Sequence, residues 1–182
     1  LALSWLAKYD LTADERRKFW WSESAQQLIY PVSDKDGPLL FWSARNFDMA
    51  KNQKYWNSGS LDRHFHILGE QGPLILVEDV VSAIKVGRQY RSMPLFKATI
   101  TKQTLLNLWT DAGGAIGFWL DPDKKAEAIR LKNMATELGI NSFSIHSKKD
   151  PKEYADDEID DLVKFWSEVT RSSIWECDEI IG

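Results

Sequence analysis

Three acidic residues stand where chemistry on phosphates would need them. Glu78 ends the apolar run Leu74-Ile75-Leu76-Val77, and Asp121 and Asp123 follow Phe118-Trp119-Leu120. In open parallel sheets, ligands bind beyond the carboxyl ends of the strands. Three carboxylates brought together there repel one another and call for a cation. Their hard oxygens suit Mg²⁺, which keeps several waters and is commonly held by only a few carboxylates beside a phosphate. The same acids also read as helix caps, because Asp79 and Asp123 each precede a helical stretch. Spacing alone does not choose between the two.

Convergence requires the two apolar runs to be neighbours in one sheet. From Gly72 onward the sequence alternates strand and helix. An apolar run at 73–77 leads to a helical period at 79–90. A short strand at 95–99 precedes a helix at 101–111, capped at or just before Thr101. A second apolar run, 115–120, leads to an amphipathic helix at 123–138 that Gly139 closes. A strand at 141–145 and a final helix at 158–175 follow. Strands that are apolar throughout are covered on both faces, which is the signature of a parallel sheet, and its crossovers are right-handed. The expected class is therefore α/β, a small parallel sheet flanked by helices over residues 72–182. Residues 1–71 read as an α+β subdomain. Helices are expected at 1–9 and 12–19, the second with a Thr12/Glu15 capping box. A hairpin joins 27–32 to 38–44 around Ser33-Asp34-Lys35-Asp36-Gly37. Residues 46–68 read as irregular, with a turn at Asn57-Ser58-Gly59.

Composition narrows the partners. The chain has 182 residues, 43% hydrophobic and 27% charged, with a net charge of −4. A nucleic-acid site on such a chain must be a local patch. No apolar run reaches the roughly 18 residues of a membrane span. Residues 1–9 are too short and too polar at their flanks for a signal peptide, and the missing initiator Met suggests trimming at the front. A lone Cys177 permits no internal disulfide, which fits a reducing, cytoplasmic setting. The acidic run Asp156, Asp157, Glu158, Asp160 and Asp161 suits the positive end of the last helix. Nine tryptophans are unusual. Most are expected to pack, and some could stack on bases. Arg16-Arg17-Lys18 beside Phe19-Trp20-Trp21 reads mainly as a solvated helix face with a buried aromatic end. His64-x-His66 lacks a third ligand for zinc.

At this point the motifs resemble a family. Glu78 after the first buried strand and Asp121-Pro122-Asp123 after the third are similar to the toprim fold of topoisomerases and primases. Lys149-Asp150-Pro151-Lys152-Glu153-Tyr154 resembles the Lys-Asp-Pro segment of primase toprim domains. Upstream, Tyr30-Pro31-Val32-Ser33-Asp34-Lys35-Asp36-Gly37, then Ser43-Ala44-Arg45, then Gln53-Lys54-Tyr55-Trp56-Asn57-Ser58 resemble the N-terminal part of the bacterial-type primase core. The resemblance spans about residues 28–155, and phage primases and primase-helicases are the most similar kinds. It also shows departures. Asp79 stands where the family commonly has Gly, and Ser82 where it commonly has another Asp. Pro122 replaces a Gly, and Lys124-Lys125-Ala126 replaces small residues.

The resemblance implies RNA primer synthesis on single-stranded DNA from nucleoside triphosphates, with Mg²⁺ or Mn²⁺. Asp121 and Asp123 would ligate the metal, Glu78 would ligate it or act as general base, and Asp150 would bind a second ion. Arg45 and Lys54 would hold phosphates, with Tyr55, Trp56 and Asn57 near the template or nucleotide. A zinc-binding module or a replicative helicase would act in trans, in the cytoplasm of a bacterial host if the chain is phage-encoded. The alternatives are a toprim accessory protein that binds nucleic acid without synthesis and, less favoured, a toprim nuclease.

Overall fold

Two units with different sheet chemistry make up the chain, residues 1–66 and 67–182. The computed structural model describes residues 2–33, 38–59, 66–96, 99–112 and 114–175. The expected turn at Asp34 to Gly37, His64 and Cys177 lie outside the described residues.

The N-terminal unit is an antiparallel sheet with short helices. Helix α1 (Ala2–Leu6) runs into a single 3₁₀ turn, and α2 spans Ala13–Arg17. The Thr12 hydroxyl accepts from the Glu15 amide, and the Glu15 carboxylate accepts from the Thr12 amide, so the capping box forms as its spacing dictates. Strands β1 (Trp20–Ser22), β2 (Gln27–Ser33), β3 (Leu39–Asn46) and β4 (Tyr55–Asn57) lie in the order β1-β2-β3-β4. The hairpin of β2 and β3 is where the alternating pattern put it. The two outer strands were not legible. Each is three residues long and aromatic, too short to show a period.

Strand alternation sends Leu28, Tyr30 and Val32 to one face, where all three are buried with Phe41 and Ser43 of β3. At the last residue of this unit, Tyr30 Oη lies 2.9 Å from His66 Nε2. Burial pushes the Tyr30 phenol up to about 12 and, with help from the Lys18 charge, pulls His66 down to about 4. With both groups neutral, the phenol and the imidazole share one hydrogen bond, and the imidazole tautomer sets its direction.

In the C-terminal unit all four strands are parallel, in the order β6-β5-β7-β8. Strand β5 is Leu74–Val77, followed by α3 (Val80–Val86), β6 (Arg91–Pro94), α4 (Lys102–Ala112) and β7 (Ile116–Phe118). A 3₁₀ turn at Pro122–Lys124 leads into α5 (Lys125–Glu137), then β8 (Ser142–Ser144) and α6 (Asp156–Trp175). Every residue of β5 is fully buried, as a central parallel strand requires. Ile75 and Val77 join Ala83, Val86, Trp119, Phe143, Ile145, Ile159 and Val163 in one cluster under α3 and α6. Leu74 and Leu76 point to the other face, and α5 packs on β7 and β8. Gly117 permits the close approach of β7 to its neighbours, because a Cβ there would lie 2.7 Å from Ile75 Cδ1 and 2.8 Å from Phe143.

The strand expected at 95–99 forms four residues earlier. Arg91 and Ser92 are polar and hide the strand from a hydrophobic pattern. Ser92 is nonetheless fully buried, paired with Leu68 on one side and with Ile75 on the other. The ladder ends after Leu95 and Phe96 donate to the Val77 and Glu78 carbonyls, since Phe96 turns to φ +46°. Helix α6 starts at Asp156, and its first-turn acids do more than suit the dipole. Asp156 meets Arg88 Nη1 at 2.9 Å and the almost fully buried Lys85 Nζ at 3.5 Å, and so clamps α6 to α3. Among the described residues no helix is long and apolar enough to cross a membrane.

Candidate functional site

The parallel order makes β5 and β7 neighbours, so the acids that follow them meet at the carboxyl edge of the sheet. The Asp121 amide donates to Glu78 Oε1 at 3.1 Å. Lys124 Nζ, from the 3₁₀ turn, lies 3.5 Å from Glu78 Oε2. Asp121 is half-buried, and burial pushes its carboxyl up to about 7. The Lys152 charge opposes that shift, while those of Glu78, Asp150 and Asp79 add to it. Its Oδ1 is buried and makes no hydrogen bond. Two carboxyl groups side by side, one with a buried oxygen that makes no hydrogen bond, could hold a hard cation.

Two of the three expected acids therefore converge. Asp123 sits on the 3₁₀ turn and is exposed, and among the described residues no three of His, Cys, Asp and Glu gather into a ready-made cage. Asp150 lies in the same neighbourhood, but its Oδ2 is occupied 2.6 Å from Lys152 Nζ. Asp79 behaves as the capping alternative stated: its Oδ1 accepts from the Val81 and Ser82 amides, both at 2.9 Å. Its second oxygen, Oδ2, accepts from Lys152 Nζ at 2.8 Å. Ser82, where a further carboxylate stands in the resembled family, is fully buried, and its hydroxyl makes no hydrogen bond. Sequence reasoning missed Lys152. Its signal was a Lys two residues after an Asp in a proline-started turn, which is weak without the fold.

A cavity of about 290 Å³ opens at the opposite, amino edge of this sheet, lined by Pro73, Arg91, Ala115 and Asn141. Parallel sheets do not bind their ligands there, and none of the acids reaches it.

In the N-terminal unit the register separates the upstream motif onto two faces. Arg45 pairs across with Tyr55, and Ser43 with Asn57. Arg45 is not a loose surface charge. Its Nη1 donates to Tyr55 Oη at 2.7 Å, and its guanidinium lies 4.3 Å from the Trp5 ring and 5.6 Å from Phe47. Stacking and a fixed hydrogen bond hold it in an aromatic nest. Lys54 and Asn57 are exposed. On the other face, Trp20, Ile29, Ala44 and Trp56 stand opposite one another across all four strands, with Pro31 and Trp42 in the next row. Trp20 is 60% and Trp56 43% exposed, flanking a fully buried Ala44. Large exposed rings in a line across a sheet are what a base-stacking surface needs.

The chain matches no protein-family model, and no curated protein matches it. Solved structures are. The structure of the DnaG catalytic core aligns with TM-score 0.66 at 17% identity over 92% of this chain and 71% of its own length. The DnaG primase catalytic domain bound to ssDNA aligns with TM-score 0.61 at 15% identity over 88% of this chain. The zinc-binding and RNA polymerase domains of the Aquifex aeolicus primase give 0.61 at 18% over 84%. The fold is that of a primase catalytic core. This chain spans only 45% of the Aquifex primase structure and 62% of the ssDNA-bound domain. At 92% coverage, the alignment takes in both the parallel sheet and the antiparallel sheet that precedes it.

Proposed function

We propose that the chain is a primase catalytic core, which joins ribonucleotides on a single-stranded DNA template with Mg²⁺ or Mn²⁺. The observation that carries this reading is the pairing of Glu78 with Asp121, whose buried Oδ1 lacks a partner, at the carboxyl edge of a primase-fold sheet. Glu78 and Asp121 would hold the ion, with the exposed Asp123 at the rim. When bound, the ion neutralises triphosphate charge and lowers the pKa of the attacking 3′-hydroxyl. The chain's own part is positioning. Asp121 and Glu78 face the reacting phosphates from one edge, and Lys124 beside Glu78 adds a mobile positive charge for them. Lys54 and Asn57 offer exposed polar contacts to nucleotide or template, and Trp20, Trp42 and Trp56 offer rings to unpaired bases. Arg45 holds Tyr55 in place through its hydrogen bond to the phenol oxygen.

Template-directed primer synthesis by the purified chain, with each ion in turn, tests the reading. RNA products that require the template, and that drop at least a hundredfold with Asp121→Asn, are expected. No product from the wild type, or undiminished product from the variant, contradicts it. Ser82 favours one rival, an accessory protein that binds single strands without synthesis. DNA binding that survives loss of Glu78, Asp121 and Asp123, with no product, selects that rival. Metal-dependent DNA cleavage selects a nuclease.

A further inference from the structure

The most enclosed charge beside Asp121 is a cation. Lys152 has a side chain only 8% exposed, and its ammonium sits 2.8 Å from Asp79 Oδ2 and 2.6 Å from Asp150 Oδ2. The turn that carries it is built to stay put. Pro151 opens a 3₁₀ turn closed by Glu153 and Tyr154 amides donating to the Asp150 and Pro151 carbonyls. Tyr154 packs 5.7 Å from the fully buried Trp119, and its hydroxyl accepts from the Lys148 and Lys149 amides. Trp119 in turn donates to Ser147, whose hydroxyl donates to the Lys149 carbonyl. Both flanks of the turn are thus bolted to the core, and Asp79 is fixed by its role as the cap of α3.

Burial alone would lower the Lys152 pKa, but the Asp79 charge and the hydrogen bonds to Asp150 and Asp79 raise it above the ordinary lysine range, so it stays charged. Of the charges acting on Asp121, that of Lys152 is the strongest. Charge counting then becomes informative. Glu78, Asp79, Asp121 and Asp150 carry four negative charges when ionised, and Lys152 and Lys124 carry two positive ones. The two ammonium groups offset half of that negative charge, and a single divalent cation offsets the rest. A second cation at Asp79 and Asp150 would have to displace a buried ammonium from both carboxylates.

We propose that Lys152 is a built-in cation that takes the part of a second divalent ion, so that Asp79 and Asp150 are served by an ammonium and the centre binds one metal ion, at Glu78 and Asp121. This rests on the metal-dependent reading of the site. Lys152 is a positioning residue, since it touches the acids and not the substrate.

Counting Mn²⁺ on the full chain, by the loss of the free-ion paramagnetic resonance signal, tests it without relying on activity. One ion on the wild type, one on Lys152→Arg and two on Lys152→Met are expected. Should Lys152→Met fail to fold, Asp150→Asn serves instead: it is expected to keep one ion with affinity within about threefold of the wild type. Two ions on the wild type, a single ion on a folded Lys152→Met, or loss of the ion in Asp150→Asn overturns the proposal and leaves the metal site standing. No ion on the wild type overturns the metal reading itself and the proposal with it.

Discussion

Replacing Asp121 with Asn should make the metal-free protein more stable while abolishing metal binding. The folded-state pKa of Asp121 lies at about 7 against an ordinary 3.8, chiefly because it is buried. A raised carboxyl binds its proton more tightly folded than unfolded. Its ionisation therefore costs nothing below pH ~4, and the cost grows as pH rises to about 7, above which it is full. That difference corresponds to about 4 kcal/mol, and a half-buried group should deliver about half of that, ~2 kcal/mol. Asn keeps the shape and removes the charge. Urea unfolding in chelator at pH ~8 should therefore show Asp121→Asn more stable by about 2 kcal/mol, and at pH ~4 the two proteins should coincide. Adding Mg²⁺ should stabilise the wild type alone, since only it binds the ion in the folded state. A variant that is less stable at pH ~8, or a difference independent of pH, would refute the reasoning.

Three further outcomes follow from other parts of the molecule. His66, held near 4 by burial, must be protonated on unfolding below its ordinary 6.5, so the N-terminal unit should lose about 2 kcal/mol as pH falls from roughly 6.5 to 4. His66→Phe should flatten that slope in acid unfolding curves, and an unchanged slope would place the titration elsewhere. Asp79→Ala removes a helix cap and a carboxylate partner of a buried ammonium, and should cost about 3 kcal/mol in thermal or urea unfolding. A loss under ~1 kcal/mol would show that Lys152 is not held as described. Trp56→Ala should weaken binding of oligo-dT and mixed-sequence single strands alike by about tenfold, read by fluorescence anisotropy, since stacking is indifferent to sequence. Unaltered binding would leave the exposed tryptophan row without a role in template contact.

How much of this was readable in the residues varies by element. Leu74 to Val77 and the run ending at Phe118 announced buried parallel strands because nothing polar interrupts them. Thr12 and Glu15 announced a helix start because both hydrogen bonds of a capping box are local. Strand β6 was misplaced because its pairing is decided by neighbours: Ser92 is buried between Leu68 and Ile75 despite its polarity. In the candidate site, the meeting of Glu78 with Asp121 followed from strand adjacency. The exposure of Asp123 did not, since it depends on how Pro122 sets the 3₁₀ turn. Arg45 read as a phosphate contact, and its ring partners Trp5 and Phe47 lie outside the motif that drew attention to it. Lys152 was invisible for a similar reason. Its partner Asp79 lies 73 residues away, and only the folded sheet brings them together.

Anomalous diffraction from a crystal of the chain soaked in Mn²⁺ addresses the central claim most directly. The account predicts a peak in contact with Asp121 Oδ1 and a Glu78 carboxylate oxygen, absent from Asp121→Asn crystals. Manganese bound elsewhere, with Asp121 and Glu78 untouched at full soaking, would contradict it.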